Sequence, residues 1–124
     1  MEESPLTDDE REDLRSRMTA EREQVRRQLA SLRITFDQLV AAADLEPPDD
    51  EHDPEGTTAY ERAQVISLAE AARHRQDGLD RALGAVGDER FGCCERCGGP
   101  IGLERLEALP AARQCVACAS GLGP

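Results

Sequence analysis

Apolar residues recur along two stretches of this chain in steps of three, four or seven. In the first, Leu14, Met18, Val25, Leu29, Leu32, Phe36, Leu39 and Ala43 form one stripe, the spacing that keeps side chains on a single face of a helix. Thr7 followed by Glu10 reads as a capping box, and Asp8 and Asp9 place acids in the first turn, where the helix dipole favours them. No Gly or Pro occurs from residue 8 to 46, and Pro47-Pro48 then stops the helix. The second stripe is Val65, Leu68, Ala72, Leu79, Leu83 and Val86, with Thr58 and Glu61 as its expected capping box and Gly87 at its close. Gly78 and Gly84 weaken this helix by about 1 kcal/mol each relative to Ala.

The two stripes have matched lengths, roughly 45 Å each at ~1.5 Å per residue. Joined by one loop, they predict an antiparallel coiled-coil hairpin. Two helices in a bundle, or dimerising, are the other arrangement such stripes allow. The connecting segment, residues 44–57, is the expected tip; it holds seven carboxylates from Asp44 to Glu55 and no Arg. Charge runs of this kind are commonly solvated connectors, and long loops are also where function collects.

Composition narrows the picture. With 2% aromatic residues, no Trp and 33% charged residues, 124 residues leave little material for a wide core, so an elongated, all-α dominated molecule is expected. The formal charge is −11, which repels bare nucleic acid and anionic membrane. No basic and apolar leader follows Met1, and no stretch approaches the ~18 apolar residues of a membrane span. A cytoplasmic location, with thiols kept reduced, is the expectation.

The chemistry lies in the cysteines. Cys94-x-x-Cys97 and Cys115-x-x-Cys118 are separated by seventeen residues, the spacing with which two knuckles grip one tetrahedral zinc ion. A thioredoxin-like redox pair wants one such knuckle beside a βαβ pattern, and a disulfide framework wants a secreted chain. The small lobe around the knuckles holds too few apolar residues, chiefly Ile101, Leu103, Leu106, Leu109 and Val116, to bury a core alone, so metal is expected to supply much of its folding energy. Cys93, the odd fifth cysteine, points elsewhere if Cys94 binds metal and is expected to be a partly buried bystander. The expected layout is a hairpin with its N-terminal segment over residues 1–90 and a C-terminal four-cysteine zinc-finger lobe with a short tail over 91–124. No open coordination position or Cys/His nucleophile arrangement is visible; His52 and His74 are expected to be solvated, and no catalysis is expected.

Phe91-Gly92-Cys93-Cys94-Glu95-Arg96-Cys97-Gly98, then Ile101-Gly102, Arg105-Leu106-Glu107-Ala108, Pro110 and Cys115-x-x-Cys118 closely resemble the zinc finger of the DksA/TraR family of bacterial transcription regulators. The resemblance covers the last third of the chain. It implies a regulator that binds RNA polymerase rather than DNA, inserting the hairpin into the secondary channel so that acidic tip residues approach the catalytic centre. Asp50 and Asp53 have the family's Asp-x-x-Asp spacing, with Glu55 where the family has alanine. Counting back from the cysteines instead puts the tip at Glu51, Pro54 and Gly56. Positions that carry basic contacts to the nucleotide ppGpp in a relative fall here on Gly78, Leu109 and Ala119, none basic, so action without ppGpp at that site is expected. The partner expected is RNA polymerase, the cofactor one structural zinc and the chain a monomer. A coiled-coil scaffold with a structural zinc lobe and no polymerase role is the competing class.

Overall fold

The computed structural model describes residues 5–45 and 54–121. Two long helices dominate: α1 (Asp8–Leu45) and α2 (Pro54–Ala85), followed by the short α3 (Leu103–Ala108) and α4 (Val116–Ala119). Among the described residues there is no strand, only an isolated antiparallel bridge between Cys93 and Pro100. The fold is a helical hairpin with a small C-terminal cysteine lobe.

The start of α1 follows its sequence signal. The Thr7 amide donates to Glu10 Oε1 at 2.9 Å and the Glu10 amide donates to Thr7 Oγ1 at 3.1 Å, so two of the amides left without helical partners are satisfied reciprocally. The start of α2 departs from it. The helix opens at Pro54, ahead of the expected cap at Thr58, because proline at a first helical position loses no hydrogen bond and has its φ already set. Thr58 and Glu61 therefore lie inside α2 rather than capping it. The expected tip at 44–57 contracts from both sides, and Asp50, Asp53 and His52 lie outside the described residues.

Packing joins the chain into two compact units, residues 1–22 with 77–124, and residues 23–76. A boundary at 90/91 follows chain order; the packing recruits the early turns of α1 and the last turns of α2 to the cysteine lobe. The reason is the shortage of apolar residues between the knuckles. Leu6, Leu14 and Met18 from the N-terminal side, Leu79, Ala82 and Val86 from α2, and Ile101 and Leu106 from the lobe are all buried together with Cys94 and Cys118 in this first unit.

Three contacts fix that core. Among its last residues α2 has no basic side chain; instead Arg11, on α1, donates through Nη1 to the carbonyl of Val86 and, at 2.6 Å, to that of Asp88. A cation from the neighbouring helix thus serves carbonyls just beyond the C-terminus of α2. Gly92, at φ 93°, lies beneath Pro5 and Leu6, where a Cβ would come within 3.2 Å of each. Gly78 lets Ala111 approach α2 so closely that a Cβ would meet the Ala111 Cβ at 3.0 Å; a glycine that weakens the helix in isolation is a packing requirement here.

The second unit has a thinner interior. Only Val25 and Ala72 are buried among its described side chains, and Leu29, Leu32, Phe36, Leu39 and Val65 are half-buried. The less exposed face of α2 runs through Thr58, Arg62, Val65, Ala69, Ala72, Gln76, Leu79, Leu83 and Val86, alternating steps of four and three as a coiled-coil seam requires. Leu68, expected on that seam, is 45% exposed; the seam passes through Ala69 instead. In α1 the seven-residue step from Met18 to Val25 is filled by half-buried Glu21.

Candidate metal centre

Each knuckle is a tight local structure that turns amides toward sulfur. In the first, the Gly98 amide donates to the Cys94 carbonyl at 2.9 Å, with Gly98 at φ 78°, a left-handed conformation in which a side chain would be strained. The Cys94 amide returns to the Gly99 carbonyl at 2.7 Å, Ile101 bonds to Gly92 at 2.8 Å, and the Gly99 amide points at Cys97 Sγ at 3.4 Å. In the second, Cys115 is the N-cap of α4 and its sulfur accepts from the Cys118 amide at 3.5 Å. The knuckles are tied together: the Glu95 amide donates to the Arg113 carbonyl at 2.8 Å, and Arg105 Nε of α3 donates to the Gln114 carbonyl at 2.9 Å.

The sulfurs of Cys94, Cys97, Cys115 and Cys118 converge within 4.8 Å of one another. Cys97 Sγ and Cys115 Sγ are 3.8 Å apart, far beyond a disulfide's ~2.0 Å and close to the ~3.8 Å edge of a tetrahedron with ~2.3 Å zinc–sulfur bonds. The four cysteines are unbridged. Donor set, spacing and inward-facing amides all fit zinc, and four thiolates leave no coordination position open, so the ion's role is structural.

Protonation at the cluster is uneven. The Cys97 amide acts most strongly on Cys94 and, joined by the amides of Cys115 and Arg96, outweighs burial, holding the thiol down at about 6 from its usual 9.0. Burial pushes Cys118 the other way, reinforced by the neighbouring sulfurs of Cys115, Cys94 and Cys97, to about 12. Without metal, one sulfur is a ready thiolate at neutral pH while another keeps its proton until a cation replaces it.

Cys93 stands outside the cluster, half-buried, its amide donating to the Arg90 carbonyl at 3.0 Å. His74 is exposed on α2. Arg11, which no sequence pattern singles out, is the residue that ties α1 to the entrance of the lobe; the one available signal was the lack of a basic residue in the last turn of α2.

A four-cysteine zinc finger built against a helical hairpin is the class that this fold and site define. Residues 89–122 match the model of the prokaryotic dksA/traR C4-type zinc finger. The RNA polymerase-binding transcription factor DksA of Salmonella typhimurium, and that of Escherichia coli K12, are each 40% identical over 68 residues, covering 53% of this chain and 45% of the relative. The DksA of Caulobacter vibrioides is 41% identical over 56 residues, 45% of this chain and 39% of the relative. The matched stretch thus spans less than half the length of these relatives. The structure of transcription factor DksA2 from Pseudomonas aeruginosa superposes with a TM-score of 0.79 over 95% of this chain and 86% of that one, at 20% identity, a likeness of fold. Residues 89–122 thus carry a zinc finger of the dksA/traR type, and the chain shares the fold of the Pseudomonas aeruginosa DksA2 structure.

Proposed function

We infer that this protein is a transcription regulator that binds RNA polymerase directly, through the secondary channel, and does not act by binding DNA. The observation that carries the reading is the finger itself: residues 89–122 fit the dksA/traR model, and the relatives that share it are named as polymerase-binding factors. Charge supports a protein partner, since a chain at −11 is repelled by a bare phosphate backbone. The zinc ion holds the lobe together and takes no part in chemistry, so the protein is a regulator and not an enzyme. Among the described residues no helix is long and apolar enough to cross a membrane, and the reading places the chain in the cytoplasm as a monomer.

In this reading the hairpin enters the channel, and Asp50 and Asp53 present carboxylates to a bound Mg²⁺ or to basic channel residues. The zinc ligands Cys94, Cys97, Cys115 and Cys118 keep the two helices in register at the lobe. The test is a pulldown with core RNA polymerase, followed by transcription from purified components. Wild type and the Asp50→Asn/Asp53→Asn variant should both be retained, with regulation altered only in the variant. Wild-type protein that fails to bind polymerase would sink the reading and favour the scaffold class.

A further inference from the structure

The first knuckle is held from outside by the residues that precede α1. An apolar residue just ahead of a helix cap ordinarily packs on the fourth residue inside its own helix. Here Thr7 is the cap and that fourth position is Arg11, so Leu6 turns to the lobe instead. Leu6 is 8% exposed and lies with Pro5 against Gly92, where a Cβ would come within 3.2 Å of either. The Gly92 carbonyl accepts from the Ile101 amide at 2.8 Å, Cys93 bridges to Pro100, and the Cys94 amide donates to the Gly99 carbonyl at 2.7 Å. Residues 92–94 and 99–101 are thus the two arms of the loop that carries Cys94 and Cys97. Pro5 and Leu6 bear on the start of the first arm.

A second contact from the same stretch fixes how the chain enters that arm. Arg11 donates to the carbonyls of Val86 and Asp88. Asp88 in turn receives the Phe91 amide on its carbonyl at 3.0 Å and the Arg90 amide on Oδ1 at 2.8 Å. Residues 86–92 are therefore gripped at both ends by residues 5–11. The second knuckle has its own fastening, with Cys115 capping α4 and Arg105 holding the Gln114 carbonyl. The first knuckle also carries the most open ligand: Cys97 is exposed, whereas Cys94 and Cys118 are buried. Release of an ion from four thiolates requires local opening, and local opening starts where burial is least. We propose that Pro5 and Leu6, anchored by Arg11, form a strap that retains the metal. Seated on Gly92, the strap keeps the first knuckle closed; unseated, it lets Cys97 and Cys94 open together. The relation is reciprocal, since a contact that favours the bound metal is favoured by it in return. The strap acts on the chain and its metal alone, whether or not RNA polymerase is the partner.

The rate of zinc release separates a strap from ordinary core. The measurement follows zinc-loaded, full-length protein giving up its ion to an excess of a chromogenic chelator, at neutral pH and without denaturant. Leu6→Ala should release zinc about tenfold faster than wild type, and Leu6→Met, which keeps an apolar contact, should restore the slow rate. Equilibrium affinity for zinc, read by competition, should fall in Leu6→Ala as release quickens. Met18→Ala is the comparison, because Met18 is 0% exposed and lies about three turns along α1 from the strap. That variant should lose more stability to denaturant than Leu6→Ala, yet release zinc within about twofold of the wild-type rate. Arg11→Ala should release zinc faster than Met18→Ala does. Pro5→Gly, which leaves Leu6 in place, should give an intermediate rate and stands in should Leu6→Ala misfold. Release rates that follow the loss of denaturant stability across Leu6→Ala and Met18→Ala would make Leu6 ordinary core and overturn the proposal. A wild-type rate in the Leu6→Ala and Pro5→Gly variants would overturn it equally.

Discussion

The two units use the same pair of helices and hold them by different means. In residues 1–22 with 77–124, ten apolar or cysteine side chains are buried around a metal site; in residues 23–76 the buried apolar side chains are Val25 and Ala72. One region is stapled and layered, the other a two-helix seam with half-buried Leu29, Leu32, Phe36 and Leu39 on one side. Stability should therefore be uneven along a single continuous helix, since local opening follows local burial.

Metal removal should break the comparison open. Chelation, or Cys118→Ser, should release one equivalent of zinc and abolish amide protection through the lobe, because binding and folding are one process in such modules; a variant that keeps its zinc would show that the ligands are mischosen. Acid should act on the same site. Zinc must displace the proton from Cys118, held at about 12, so affinity rises with pH; below about 6, Cys94 also protonates and the dependence steepens. A zinc titration across that range reads the slope directly.

Core truncations come next. Leu14→Ala or Met18→Ala should cost about 2–5 kcal/mol, whereas half-buried Leu39→Ala should cost about 1 kcal/mol, both measured by denaturant unfolding of the zinc-loaded protein. Equal costs would show that the units are not different in kind. Arg11→Ala should lose about 1–2 kcal/mol, having left two carbonyls to water. The smallest effects carry opposite signs. Gly84→Ala, with nothing within 4 Å of the new methyl, should stabilise by up to ~1 kcal/mol, while Gly78→Ala, 3.0 Å from Ala111 Cβ, should destabilise.

The cysteine spacing made the metal cluster legible because ligand chemistry is local: four sulfurs at two fixed separations need no knowledge of the rest of the chain. The capping box at Thr7 was legible for the same reason. What escaped depended on partners distant in sequence. Gly78 looks like a helix defect until Ala111 is placed against it, and Arg11 looks like one surface charge among many until the carbonyls of Val86 and Asp88 are seen to face it. The seam of α2 was blurred because Thr58, Arg62 and Gln76 lie on it without giving an apolar signal, and Pro54, expected in the connecting segment, begins the helix instead. Asp50 and Asp53 lie outside the described residues, and their role rests on the polymerase assay.

Leu6 resting over Gly92 has a practical corollary. Pro5 and Leu6, ahead of the first helix, cover Gly92 at contact distance, and at φ 93° a larger residue at position 92 would be strained as well as crowded. A shortened protein beginning at Thr7 would retain every zinc ligand and both long helices, yet it should be cut by proteases near Arg90 sooner than its parent.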